Sequence, residues 1–310
     1  MEYNRDNEKV DNDSNRSIKD RSEIILSTIS YIFISILAGL SLMPFIMMVA
    51  SSFSSEIAIT KYGFTLWPKE FSTLAYKIVF ENPKLIIGSY VVTIILTVTG
   101  TAIGLIVIAM TGYALQRPDF RYRNKISFYI YFTTLFSGGL IPFYFLITKY
   151  LHLSDSYLAV LLPGLMTPWL IILMKNFLKS IPHSITESAK VDGASDLTIF
   201  IKIILPMATP ALATVGLFLA LSYWNEWYNS MLFLSPSVTY RPLQLFMYNI
   251  VTSAEYIRSS AASSNIPPQD VPTETMKMAT AVVAIGPVIL LYPFVQKYFI
   301  KGITVGAVKG

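Results

Sequence analysis

Long apolar runs and charged connecting segments alternate along the whole chain. The apolar runs lie near Ile24–Ala50, Leu85–Leu115, Ile126–Leu146, Tyr157–Phe177, Pro206–Trp227 and Ala279–Val295. A helix needs about 20 mostly apolar residues to cross a hydrocarbon core about 30 Å thick, and each run is of that order. Within lipid only helices and closed barrels satisfy every backbone hydrogen bond, and these runs are continuously apolar instead of alternating as barrel strands do. The pattern predicts an all-α, polytopic membrane bundle of six transmembrane helices.

Composition supports that reading. Hydrophobic residues make up 53% and charged residues 14% of the 310, against roughly 25% charged in soluble domains. Mean hydropathy is +0.53. The charges are segregated: residues 1–23 hold twelve of them, five basic and seven acidic, before the apolar sequence begins at Ile24. That segment is expected to be a disordered cytoplasmic tail. It lacks the basic start, short apolar core and small-residue cleavage site of a secretory signal, so the first apolar run is expected to stay as a span. With the N-terminus inside, the inner segments carry sixteen Lys and Arg and the outer segments eight. Excess basic charge marks the cytoplasmic side, so both termini are expected there. The net charge of +5 is spread over these loops and forms no single basic stripe, so no nucleic-acid partner is implied. There are no cysteines, which removes disulfides and thiolate chemistry.

Two outer segments are long. Ser51–Lys84 contains Gly63, Pro68 and Pro83 and is expected to be partly structured, with Trp67 and Tyr76 suited to the membrane interface. Residues 229–278 include the small, polar, proline-rich stretch Ser259–Pro272, which reads as an exposed flexible loop.

The most specific segment is the inner loop 181–206, IPHSITESAKVDGASDLTIFIKIILP. Ser184 and Glu187 have the spacing of a capping box, which predicts a short helix starting at Ser184 with Pro182 just outside. Gly193 offers a place to end it, and Ser195 or Asp196 can cap the next helix, which runs towards Pro206. The segment therefore presents a short surface helix that can be gripped from outside the membrane.

These residues resemble the permease subunits of binding-protein-dependent ABC importers, whose inner loop has the pattern E-A-A, three residues, G, nine residues, I, one residue, L-P. Here Glu187, Ser188 and Ala189 are followed by Gly193, and then by Ile203, Leu205 and Pro206. Ser188 in place of the first alanine is the one departure, small for small. The stretch Ser137–Gly164, the KNF and IP within Lys175–Pro182, VDGAS at Val191–Ser195 and the terminal KGITVGAVKG are similar to the carbohydrate-uptake branch, the maltose-type second permease, over residues 24–310. The resemblance implies a type I importer fold in which the loop docks into a cleft of a separate ATPase, with Glu187, Ser188, Ala189, Asp192 and Gly193 at or beside that contact. It also implies a second homologous permease, two ATPase domains and an extracytoplasmic sugar-binding protein that reaches the loop 229–278. Under the resemblance the chain lies in a bacterial plasma membrane, ATP and Mg belong to the partner ATPase, this chain holds no cofactor or metal, and the cargo is a carbohydrate, expected to be an oligosaccharide in a branch that also includes carriers of uronides and of polyol or glycerol-phosphate compounds.

Other candidates are less specific. Tyr223, Trp224, Asn225, Glu226 and Trp227 sit near the outer end of the fifth run, where rings can stack on sugar faces and amides and carboxylates can bond hydroxyls. The alternative is an interfacial aromatic belt with a snorkelling acid. The G-x-x-x-G at Gly100–Gly104 suits close helix packing, and Gly138, Gly139 and Pro142 suit a break in the third span. His152 reads as a surface residue, and neither it nor His183 has a second histidine near enough for a metal site. No phosphate-binding G-x-x-x-x-G-K-[ST] loop is present, so energy from ATP has to come from another chain, and no hydrolase motif or catalytic acid constellation appears. The rival reading is an ion-coupled secondary transporter, which wants charges buried within spans and paired broken helices.

Overall fold

The computed structural model describes residues 3–263 and 272–289. The chain divides into two compact units, Met1–Tyr76 with Gln269–Val282, and Lys77–Pro268 with Val283–Gly310.

In the first unit, α1 runs from Tyr3 to Ser52. Its apolar part, Glu23–Ser52, is long enough to span; residues 23–46 are exposed, and only Ala50, Ser51 and Ser52 at its end are buried. The helix continues back through the charged residues 3–23, where the sequence suggests no order. Asn, Asp and Ser, which are poor helix formers, outnumber Glu, Lys and Arg there, so the extension follows from the spanning helix, which supplies the costly nucleus. The outer segment after α1 is ordered, as expected. Ser55 caps α2 (Glu56–Tyr62) by accepting a hydrogen bond from the Ala58 amide at 3.1 Å, and an isolated antiparallel bridge joins Ser54 to Phe71. Trp67 is 81% exposed, in keeping with an interfacial role, whereas the Tyr76 hydroxyl is paired with Ser52 Oγ at 2.8 Å. The buried Glu56 carboxylate accepts the Glu274 and Thr275 amides, each at 3.0 Å, so a negative charge sits at the N-terminus of the helix beginning at residue 273, where it complements the helix dipole.

The second unit is organised on α4 (Pro83–Gln116), which follows the short α3 (Leu74–Val79). At 1.5 Å per residue a helix this long exceeds the bilayer core, so its ends project beyond it. Its small residues carry the packing. A Cβ on Gly100 would lie 2.4 Å from the Tyr223 ring, and one on Gly112 would lie 2.9 Å from Met174 Cγ. Glycine at these positions lets neighbouring elements approach α4 closely, the packing role expected of Gly100 and Gly104.

The third expected span is bent. Helix α5 (Arg123–Leu135) and the stretch Leu140–Tyr150, comprising α6 (Leu140–Phe145) and a π turn (Leu146–Tyr150), meet at 114°. The break falls at Ser137–Gly139, where Gly139 has φ 89°, a conformation that a side chain would strain. The fourth span, Tyr157–Lys179, is built from α7 (Tyr157–Gly164) and α8 (Pro168–Lys179). Three described segments thus reach spanning length, the last of them interrupted at residues 165–167, and two bent pairs bring the number to as many as five. Of the sixth expected span, residues up to 289 are helical, and residues 290–295 lie outside the described residues. The long segment after residue 228 is also largely helical, with α13 (Tyr228–Phe233) and the 21-residue α14 (Leu243–Ser263). The first five residues of Ser259–Pro272, expected to be loop, therefore belong to a helix, and 264–271 lie outside the described residues. Here Leu, Met and Ala at helical spacing outweigh the serines.

Candidate functional site

The loop 181–206 forms a short helix α9, His183–Val191. It starts one residue before the expected Ser184, because Pro182, with φ −59° and ψ 131°, occupies the capping position. No side chain caps it, so Ser184 and Glu187 do not form a capping box. Glu187 Oε1 lies instead 3.0 Å from His183 Nδ1. Thr186 and Ala189 are buried against the body of the unit, while Glu187, Ser188, Lys190, Val191 and Asp192 face outward. Val191 is 88% exposed, unusual for a branched apolar side chain on a helix this short. Ser188 belongs to that outward face, so its hydroxyl in place of alanine's methyl buries no polar atom.

The helix ends in a Schellman turn. The Ala194 amide donates to the Ala189 carbonyl and the Gly193 amide to the Lys190 carbonyl, both at 3.0 Å. Gly193 has φ 82°, the left-handed conformation that this cap requires and glycine adopts without penalty. No atom of the described chain lies within 4 Å of where its Cβ would be. Ser195 then accepts a hydrogen bond from the Thr198 amide at 3.3 Å, which caps α10 (Asp196–Ile199), as the sequence leads one to expect. The turn is therefore fixed from both sides with open space beside its glycine.

The rest of the motif points the other way. After a π turn at Phe200–Ile204 and the short α11 (Leu205–Met207), Ile203 and Leu205 pack against the main core cluster and Ile204 is buried. Pro206 is exposed. Prolines 206 and 210 remove two helical donors, and Thr209 Oγ1 donates to the Pro206 carbonyl at 2.7 Å, so the hydroxyl replaces one missing bond. The chain bends by 83° here into α12 (Thr209–Trp224).

Sequence spacing gave no hint of the ion cluster that ties α9 to the end of α4. Arg117 Nε donates to Asp119 Oδ1 at 2.9 Å, and a second guanidinium nitrogen bonds the other oxygen. Its Nη1 reaches Asp196 at 2.8 Å, and Lys190 Nζ reaches Asp119 at 3.0 Å and Asp196 at 3.7 Å. Four charges from three elements meet here, so no local pattern could have revealed them. The guanidinium bond from Arg117 holds the Asp119 carboxyl well below the usual carboxylate range, and the bond to Asp119 raises Arg117. The guanidinium also lies 5.7 Å from the centre of the Tyr113 ring, within cation–π range.

The candidate substrate path divides in two. Tyr223 is buried against Gly100 and Gly164, with its hydroxyl donating to the Leu161 carbonyl at 2.8 Å. Trp224 is buried, and its Nε1 donates to the Ala284 carbonyl at 3.1 Å. Glu226 accepts the Asn229 amide at 2.7 Å and its side-chain nitrogen at 3.0 Å, capping α13. Asn225 and Trp227 are exposed. Asn225 Oδ1 accepts Gln244 Nε2 at 3.4 Å, and Trp227 stacks on Tyr248 at 5.0 Å. The outward sugar-compatible set is thus Asn225, Gln244, Trp227 and Tyr248. The two residues from α14 were not singled out in the sequence, being remote along the chain. Among the described residues no group of His, Asp and Glu could hold a metal ion.

Residues 110–305 match the family model described as "Binding-protein-dependent transport system inner membrane component". The polygalacturonan/rhamnogalacturonan transport system permease protein YtcP of Bacillus subtilis (strain 168) is 41% identical, with 90% of this chain and 96% of that protein covered. The arabinooligosaccharides transport system permease protein AraQ of the same organism is 29% identical, with 90% and 94% covered. A crystal structure of a bacterial ABC transporter involved in the import of the acidic polysaccharide alginate contains a chain 36% identical, superposing with a TM-score of 0.71 over 90% of this chain and 98% of that one. This chain therefore belongs to the family of binding-protein-dependent transport system inner membrane components, as a permease of carbohydrate-uptake ABC transporters and not an enzyme.

Proposed function

We propose that this permease forms a translocation path with a second, homologous permease and is driven by two cytoplasmic ATPase domains that grip the loop 184–206. Both termini face the cytoplasm, with residues 1–23 as a tail. An extracytoplasmic sugar-binding protein delivers the cargo near the segment 229–278. ATP and Mg are bound by the partner ATPase. The observation that carries this reading is the α9 turn. Its backbone is locked by the Schellman bonds at Gly193, its outward face offers Glu187, Ser188, Val191 and Asp192, and the space beside Gly193 is empty within the described chain. A rigid turn with a bare outward face transmits motion from an external cleft to the spans that follow it.

The cargo is an oligosaccharide. Relatives named for polygalacturonan, rhamnogalacturonan and arabinooligosaccharide transport support this, as do the exposed Asn225, Trp227 and Tyr248 with the half-buried Gln244, which pair amides with rings as sugar recognition requires.

The deciding experiment replaces Gly193 with Asn, which tolerates the left-handed conformation and so keeps the turn while placing a side chain in the open space. Membrane insertion is expected to be normal, while co-purification of the ATPase and sugar uptake are lost. Glu187→Lys is expected to act in the same direction. Normal uptake with full ATPase stoichiometry in both variants overturns the docking assignment.

A further inference from the structure

Beside the neutralised cluster at Arg117 lies a second group of cations without such compensation. A cavity of about 400 Å³ is lined by Arg123, Lys175, Lys179 and His183, together with Gln116 and Asn124. These residues come from the C-terminal ends of α4 and α8, the first turn of α5 and the start of α9. The cavity thus sits where two spanning helices leave the membrane on the same side. No carboxylate lines it. Among the described residues none lies within ion-pair reach of Arg123, Lys175 or Lys179. Their polar contacts are weak anchors: Arg123 Nη1 donates to the Arg117 carbonyl at 3.2 Å and Lys175 Nζ to Ser127 Oγ at 2.9 Å. His183, the fourth basic side chain of the lining, pairs with Glu187 at 3.0 Å.

Three cations held close together without an acid repel one another unless an anion joins them. A second cavity of about 180 Å³ shares Leu115 and Lys175 with the first and continues between α5 and α8, where Ile130, Tyr131, Ile171 and Ile172 line it. The outer side of α5 carries Phe128 and Tyr129, which are 68% and 69% exposed. A basic mouth at the membrane surface that opens into an apolar crevice between spans fits a ligand with an anionic head and an apolar tail. A soluble anion has no use for the crevice, and a neutral lipid leaves the cations uncompensated.

We propose that this site binds an anionic glycerophospholipid, its phosphodiester held by Arg123, Lys175 and Lys179 and an acyl chain lying between α5 and α8. The bound lipid braces the turn from α8 into α9 and so couples membrane composition to the geometry of the docking loop. This assignment does not depend on the identity of the cargo.

The test uses the assembled transporter in nanodiscs made from an equal mixture of phosphatidylcholine and phosphatidylglycerol, with retained lipids counted by native mass spectrometry. The wild type is expected to retain phosphatidylglycerol in preference to phosphatidylcholine. Lys179→Gln, at an exposed position, is expected to lower that retention about fivefold, and Arg123→Gln added to it about fivefold again, as roughly 1 kcal/mol per basic residue near a membrane surface implies. Lys179→Arg is expected to restore retention, and Lys84→Gln at the opposite end of α4 to leave it unchanged. Equal retention of the two lipids, or no change in the Gln variants, overturns the proposal. Displacement of the lipid by inorganic phosphate or an oligogalacturonate overturns it in favour of a soluble anion. Retention that appears only after the ATPase has been stripped off overturns it in favour of a protein carboxylate.

Discussion

The turn at Gly193 and the aromatic cluster at Tyr223–Trp227 were both singled out by their residue types, yet the structure treats them in opposite ways. At the turn, backbone bonds consume the polar groups of the main chain and leave the side chains of Glu187, Ser188 and Asp192 facing outward. In the aromatic cluster Tyr223 and Trp224 turn inward, where the hydroxyl of one and the indole nitrogen of the other each satisfy a backbone carbonyl, and only Asn225 and Trp227 stay exposed. A motif defined by spacing encodes a backbone shape and therefore survives folding as a surface. A run of chemically suitable residues encodes no shape, so packing claims those that fall on a buried helix face.

The contrast is broken most severely at Gly193. Gly193→Val adds a branched side chain at φ 82°, costing about 1–2 kcal/mol in backbone strain, and it opposes both Schellman bonds. Uptake is expected to fall to background, with the protein still present in membranes by immunoblot. Uptake near wild type would mean that the turn geometry has no role.

A smaller loss is expected from Arg117→Ala, which leaves Asp119 and Asp196 facing each other with only Lys190 between them. Losing charge-assisted bonds of this kind costs about 1.5–3 kcal/mol when they are shielded, and the roughly half-exposed Asp119 and Asp196 side chains reduce that through solvent screening. The expected signature is local: faster amide hydrogen exchange in α9 and α10, reduced uptake, and unchanged exchange at the core of α12. Uniform loosening of the whole protein would show that the cluster holds the fold generally and does not specifically fix the docking loop.

In the aromatic cluster, Tyr223→Phe and Trp227→Ala are expected to separate two effects. Tyr223→Phe leaves the Leu161 carbonyl without its partner, at about 1 kcal/mol, and should lower the melting temperature without altering the apparent KM for sugar. Trp227→Ala removes a stacking ring worth about 0.5–1.5 kcal/mol and should raise the apparent KM with little change in melting temperature. The reverse assignment of these two readouts would return Tyr223 to the substrate path.

Legibility followed the same physical division. Apolar run length located the apolar helices, three of spanning length and two bent pairs among the described residues, because the bilayer fixes the number of residues needed, and Gly138 and Gly139 marked the break that bends the third apolar run. The end of α9 at Gly193 and the cap at Ser195 were legible because both depend on neighbours in sequence. Its start was not, since Pro182 and Ser184 are both acceptable openings and the choice depends on how α8 ends. The helix α14 was obscured by serines and prolines beyond it. The Arg117–Asp119–Lys190–Asp196 cluster and the pairing of Trp227 with Tyr248 join residues far apart in sequence, where spacing carries no information.

The smallest expected effect concerns acid. Because Arg117 depresses the Asp119 carboxyl, that group binds its proton less readily in the folded protein than in the unfolded chain, whose Asp value is about 3.9. The stabilisation is therefore fully present above that value and is lost only as pH falls through the lower, folded one. Between about pH 8 and pH 5 Asp119 therefore stays ionised and bonded to Arg117, and hydrogen exchange in α9 should not change beyond the intrinsic exchange rate of the amides. Asp119→Asn supplies the neutral state at every pH, so its exchange pattern should match that of the wild type only under strongly acidic conditions. Wild-type α9 loosening already between about pH 7 and pH 5 would show that the Arg117–Asp119 pair is not what holds the loop.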